Sequence, residues 1–245
     1  MGTAAYTWSH NIDDSTGLFG NPGDQRGAQG GPIDPLNSRI DRASSALDHR
    51  HLFAGSILYD LPFGQGKRYM TSGGWADKAI GGWQVNIILS GSTGQPFSVV
   101  GNGTGSGGAT IANIIGNPYA NLAPGQIINP LAFQDPQQGN PGTTCVKNLA
   151  GHSVCWGDSG RNHFTGPGFF RTDMSLFKNT KLSERVSLQI GLEAFNIFNQ
   201  DNALVPQTNI DGGGGPNHNL NLNLGTFNNT ILPPRLMQYR AKVIF

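Results

Sequence analysis

Four groups of residues in this 245-residue chain have types and spacings that could support chemistry. Asp48-His49-Arg50-His51 supplies two imidazoles at i and i+2, which would share one face of a strand and could ligate a metal. No third or fourth ligand accompanies them, so the start of a solvated strand is the simpler reading. The run from Gly101 to Thr110 has glycines at the spacing of a dinucleotide-binding loop. Such a loop needs a parallel strand before it and a helix after it, so that backbone amides and the helix dipole meet the phosphate. The residues that follow are interrupted by Gly116 and Pro118, and a flexible connection is expected instead. Cys145 and Cys155 are the only cysteines; they lack C-x-x-C redox spacing and the further ligands of a zinc site. The fourth group is the polar set Arg171, Asp173, Gln189, Glu193, Arg240 and Lys242. A lone His218 sits in a glycine-rich loop as filler, and neither G-x-S-x-G nor H-E-x-x-H occurs. No enzyme activity and no cofactor are expected.

The elements that would position the fourth group alternate at period two, the pattern of strands with one apolar and one polar face. From Met237 to Phe245 the odd positions are Met237, Tyr239, Ala241, Val243 and Phe245, and the even ones include Gln238, Arg240 and Lys242. Val186, Leu188, Ile190, Leu192 and Ala194 stand opposite Ser187, Gln189, Gly191 and Glu193. Phe170, Met174 and Leu176 oppose Arg171, Asp173 and Ser175, and Trp83, Val85, Ile87 and Leu89 oppose Gln84, Asn86 and Ser90. Tyr6 and Trp8 share a face, and residues 49–62 form the least regular case, because Leu52, Ala54 and Leu58 occupy polar positions. These make six strands, and no segment shows a helical period.

Charged residues are 13% of the chain against a usual quarter, while Gly reaches 36 residues and Pro 15, so turns and loops must occupy much of it. The formal charge of +1 excludes nucleic acid as an expected partner. No run of about 18 apolar residues occurs, which excludes a transmembrane helix but not a transmembrane strand. The links between the six strands alternate in length. Residues 13–48, 101–168 and 200–233 read as structureless loops, whereas residues 63–79 and 180–185 form shorter connections. Three long loops count against an ordinary compact domain. Placed at one end of an up-and-down meander, they fit an outer-membrane barrel with long extracellular loops and short periplasmic turns. The fold expected is all-β, an antiparallel meander of about six long strands forming an open fragment of a transmembrane β-barrel.

Residues 166–202, with a Gly and an Asp opening one strand, a short polar turn and a second strand closing on an Asn-Phe-Asn element, resemble the late strand pair of TonB-dependent outer-membrane receptors. The final strand, Arg235 to Phe245, is similar to that family's Arg-led terminal strand. Residues 6–17, 48–69 and 81–99 resemble more narrowly the Oar-like subfamily, which carries a carboxypeptidase-regulatory-like domain. The resemblance implies outer-membrane localisation, contact with outer-membrane lipid, and a C-terminal aromatic, Phe245 with Tyr239 nearby, read by the barrel-assembly machinery. It also implies energised transport of an unknown ligand through the TonB complex. On this reading residues 1–245 are the C-terminal barrel segment, and plug, TonB-interacting segment and signal peptide are expected outside them.

Arg171, Asp173, Gln189, Glu193, Arg240 and Lys242 would then face the lumen, either contacting the plug and solute or forming cross-strand pairs that keep the lumen wet. In an oxidising envelope Cys145 and Cys155 are expected to form a disulfide with a structural role. The competing architecture is a secreted or surface β-sandwich, an adhesion or carbohydrate-binding module, in which the same apolar faces form a core. The sandwich would bury Tyr6, Trp8, Trp83 and Tyr239, whereas a barrel would leave them on its outer surface.

Overall fold

The computed structural model describes residues 1–14, 33–34, 37–64, 67–69, 79–102, 109–137, 140–147, 151, 153–211, 220–228, 230 and 233–245. Six long strands form one antiparallel sheet in sequence order. They are β1 (Gly2–Trp8), β2 (His51–Asp60), β3 (Trp83–Ser92), β4 (Phe169–Lys181), β5 (Ser187–Phe195) and β6 (Leu236–Ile244). Five of the six have 9 to 13 residues, the length needed to cross a bilayer at barrel tilt, and β1 has 7. The sheet is open, with β1 and β6 at its edges.

Register carries the alternation of each strand into two continuous faces, because directly paired residues project to the same side. Leu176 pairs with Val85 and Leu192, Leu192 with Tyr239, and Ala194 with Met237. Tyr6 pairs with Phe53, and Tyr59 with Val85. This is the apolar face. On the other, Ser175 pairs with Asn86 and Glu193, Glu193 with Gln238, and Gln189 with Lys242. The out-of-pattern residues Leu52, Ala54 and Leu58 fall on this second face, opposite Ser92, Ser90 and Asn86.

Among the described residues no second sheet covers either face, and the remaining ladders are two-stranded and short. Tyr6, Trp8 and Tyr239 are exposed, and Trp83 is half-buried. The β-sandwich alternative is therefore set aside: the architecture is a single open sheet.

The long links correct the sequence reading most. Where described, they are not structureless but fold together into a cap at one end of the sheet, and the buried apolar core lies there. Phe97, Val99, Ala112, Ile128, Ala132, Phe133 and Phe164 from the link between β3 and β4 pack with Ile210 and Leu224 from the link between β5 and β6. Ile33 and Ile40 of the first link join Ile111, Val146 and Trp156 of the second. Phe164 lies at the centre, with ring centroids 5.8 Å from Phe97 and 5.5 Å from Phe133.

The cap continues directly from the β3–β4 hairpin. The ladder ends at Ser92 and Phe169 and resumes where Phe97 pairs with Phe164. Between them a side chain at Gly94 would collide with the Gly166 carbonyl, so glycine permits the two backbones to touch where the sheet gives way to the cap. The expectation of a flexible connection at Gly101 to Thr110 is corrected at its ends, since Val100–Asn102 pairs with Ala109–Ile111; residues 103–108 lie outside the described residues. The strand Asn113–Ile114 follows where a phosphate loop would need a helix.

Candidate functional site

The polar face concentrates its charge on β4, β5 and β6. All six residues singled out from the sequence, Arg171, Asp173, Gln189, Glu193, Arg240 and Lys242, project from it, as register requires. Three of them, Gln189, Glu193 and Arg240, are linked to one another, and Asn179 and Gln238 extend the network. Asn179 Oδ1 accepts from Gln189 Nε2 at 2.8 Å, and Gln189 Oε1 accepts from Arg240 at 3.1 Å. Arg240 lies 3.5 Å from the Glu193 carboxylate, which also accepts from Gln238. The network thus crosses three strands. Exposed ion pairs of this kind add little stability singly. Linked together, they hold the side chains of both signs in fixed relation on one wall.

An aromatic lies beneath this network. Phe177 is directly opposite Gly191, and its ring covers that glycine so closely that a Cβ there would sit 2.5 Å from two ring carbons. The Arg240 guanidinium lies 4.6 Å from the ring centroid on the same side, a cation–π contact. Phe177 is consequently 8% exposed although it sits on the polar face. Alternation assigned position 177 to that face, but the pairing that makes Phe177 a lid over Gly191 is non-local and could not be read from it.

Arg171 and Asp173 form a separate pair nearer the cap. Asp173 Oδ1 accepts from Arg171 Nε at 2.7 Å and from the backbone N–H of Asn196 at 2.9 Å. This gives the Asn-Phe-Asn element a structural role. Asn196 and Asn199 both adopt left-handed backbone, with φ of 52° and 50°, a conformation Asn tolerates better than other residues carrying a Cβ. Asn199 Oδ1 accepts from the Arg235 amide, and Asn202 Oδ1 from the Phe170 amide, at 2.9 and 2.8 Å. Three asparagines at three-residue spacing therefore tie the end of β5 to the starts of β6 and β4. Lys242 is exposed near the far end of β6, opposite Gln189.

The other half of the polar face, on β1, β2 and β3, carries small, hydroxyl, amide and aliphatic side chains, with Asp60 its one charge at the short-turn end. Near the cap they line a concavity of about 330 Å³ between Ala5, Thr7, Leu52, Ala54, Ser90 and Phe169. The face is thus divided, charged on one side and smooth on the other.

The Asp48 to His51 segment is a structural joint. Buried Asp48 accepts from the Asn11 amide at 2.8 Å and from Arg50 Nε at 2.9 Å, fixing the exit of β1 to the entry of β2. His49 contacts the Thr93 carbonyl at 2.8 Å, whereas His51 contacts the Tyr6 hydroxyl at 2.7 Å, so the two imidazoles serve different neighbours. Among the described residues no group of three or more His, Cys, Asp or Glu is placed to hold a metal ion. His218 lies outside the described residues.

In the cap, Cys145 and Cys155 are directly opposite in a hairpin and are joined by a disulfide. Arg161, fully buried, clamps the first link to the second: it donates to the Asp13 and Asp41 carbonyls at 3.0 and 2.9 Å and lies 2.7 Å from the Asp13 carboxylate. Between the second and third links, the Val100 amide donates to Thr208 O, and the Ile210 amide to Val100 O. Tyr239 stands on the apolar face, 85% exposed, and Phe245 directly follows β6, 95% exposed.

Comparison with known proteins accords with this geometry. The model of the outer membrane beta barrel domain family matches residues 1–238. No curated protein and no solved structure gives a match. The match spans the first five strands, the cap and the start of β6, and the chain belongs to the outer membrane beta barrel domain family, with its place in the outer membrane.

Proposed function

We propose that this chain is the C-terminal barrel segment of an Oar-like TonB-dependent receptor, supplying strands and extracellular loops to ligand binding and energised transport. The observation that carries the reading is the division of one sheet into an apolar face and a wall of linked charges, beneath a cap folded from three long links. In this reading the apolar face meets outer-membrane lipid and the polar face lines the lumen. The cap lies outside the cell and the short turns face the periplasm. The open edges at β1 and β6 pair with further strands of the receptor. Partners are the barrel-assembly machinery, which reads Phe245, the TonB complex, which acts through a part of the receptor outside this sequence, and an unidentified transported ligand. Nucleic acid is not a partner. The role is binding and gating rather than catalysis.

The test does not require the ligand to be known. The two native cysteines are bonded to each other, so a cysteine introduced by Ser175→Cys supplies a new thiol on the polar face. Labelling of that thiol from outside intact cells should rise when the TonB system is energised and fall when the proton gradient is collapsed. Labelling independent of energisation would contradict the transport reading.

A further inference from the structure

A single formal charge interrupts the apolar face. Among the Asp, Glu, Lys and Arg residues of the six strands, only Lys178 projects from that side, paired with Trp83 and Ile190 at the short-turn end. A cation on the lipid face is costly at the bilayer midplane and tolerated only near an interface. Lys178 reaches towards that interface: its ammonium donates to the Gly81 carbonyl at 2.6 Å and lies 5.2 Å from the Trp83 ring centroid. The two turns on either side, with the strand ends that enter them, add Lys67, Arg68, Lys181 and Arg185, against the carboxylates of Asp60 and Glu184. Among the described residues five cations stand against two carboxylates, and Lys78 and Asp77 in the sequence of the same turn cancel, so the local excess is three in a chain whose formal charge is +1. Arg68 also stacks on Tyr69, with its guanidinium carbon 5.4 Å from the ring centroid.

We propose that this end of the apolar face binds the phosphate of an anionic phospholipid in the periplasmic leaflet. Lys178 meets the headgroup beside the Trp83 indole, and Arg68 and Arg185 approach it from the two turns. Basic side chains at a membrane surface attract anionic headgroups, and an aromatic at the same level anchors the lipid–water boundary. The inference rests on the outer-membrane placement with the cap outside the cell.

The experiment is native mass spectrometry of the full receptor in mild detergent, titrated separately with phosphatidylglycerol and phosphatidylcholine. Wild type should prefer phosphatidylglycerol, and Lys178→Gln, Arg68→Gln and Arg185→Gln should each weaken that binding roughly fivefold. Binding of phosphatidylcholine should be unchanged, Lys178→Arg should restore the preference, and Lys147→Gln in the cap should have no effect. Equal retention of the two lipids by wild type, or a triple variant that loses no preference, would overturn the proposal. So would a preference for a soluble acidic peptide over the lipid. If Lys178→Gln fails to reach the heat-modifiable folded form, the Arg68→Gln and Arg185→Gln variants, in turns outside the strands, carry the same test. Labelling of the cap on intact cells is scored separately. A cap inaccessible from outside contradicts the placement itself, whereas an accessible cap without lipid preference contradicts this inference alone.

Discussion

Replacing Gly191 by alanine tests the packing on which the charged wall rests. A Cβ at this position would lie 2.5 Å from Phe177 Cδ1 and Cε1, well inside van der Waals contact, so the ring must swing away. Movement is resisted from above, because Arg240 stacks on the ring while holding Glu193 and Gln189. Overpacking of this kind costs about 1 to 3 kcal/mol, and loss of the guanidinium stacking adds about 0.5 to 1 kcal/mol. The expected total for Gly191→Ala is about 1.5 to 4 kcal/mol. Phe177→Ala alone should also destabilise, by uncovering Gly191 and leaving Arg240 without its platform. Combined, the two changes remove the collision, and the double variant should be more stable than the sum of the singles by about 1 to 2 kcal/mol. The assay is urea unfolding of the full receptor refolded into lipid vesicles, followed by heat-modifiable migration. Strict additivity would refute the reasoning, because the cost at Gly191 would then not come from Phe177.

Three further outcomes follow from the joints around the sheet and cap. Asn196→Ala places a Cβ without a local hydrogen-bonding side chain in left-handed backbone and removes the bonds to Gln200, which should cost about 1 to 3 kcal/mol in the same unfolding assay. Arg161→Met leaves the Asp13 carboxylate and the Asp41 carbonyl without this guanidinium; about 3 to 5 kcal/mol of cap stability should be lost, read as faster hydrogen exchange in residues 39–44 with β4 and β5 unchanged. Cys145→Ser with Cys155→Ser should remove about 2 to 3 kcal/mol of constraint from the ten-residue separation, seen as proteolysis within the cap while the sheet stays folded.

The sheet was legible because its signal is local. Alternation at period two in residues 186–194 and 237–245 assigns each side chain to a face without reference to any partner strand, and register then follows from keeping the apolar set together. Leu52, Ala54 and Leu58 weakened that signal in β2, since the smooth half of the polar face is lined by small and apolar groups. The cap was not legible. Phe97, Val99, Ile128, Phe133, Phe164, Ile210 and Leu224 have no common period, and they meet only because two links separated by whole strands converge. Their flanking Gly, Pro and Asn residues signal turns, which is compatible with either a loose loop or a compact one. In the candidate site the charged members were visible by type and parity. Phe177, Asn179 and Gln238 complete the network through pairings across β4, β5 and β6, and no spacing within one strand reports such pairings. Asp48 was conspicuous beside two histidines, but its partner Asn11 is set by the β1–β2 pairing, and so its structural role was hidden.

The central claim is that one face of this sheet meets lipid and the other does not, and neighbouring residues of β6 test it most directly. Met237 pairs with Ala194 on the apolar face, and Gln238 pairs with Glu193 on the polar face. Met237→Arg places a cation against lipid, costing up to about 2 to 4 kcal/mol at the midplane and less towards the interface. Gln238→Arg places the same cation beside the Glu193 carboxylate. The measurement is the heat-modifiable folded fraction of each variant in purified outer membranes. A clear loss for Met237→Arg with near wild-type folding for Gln238→Arg is the predicted result; equal losses at the two positions would contradict the assignment of faces.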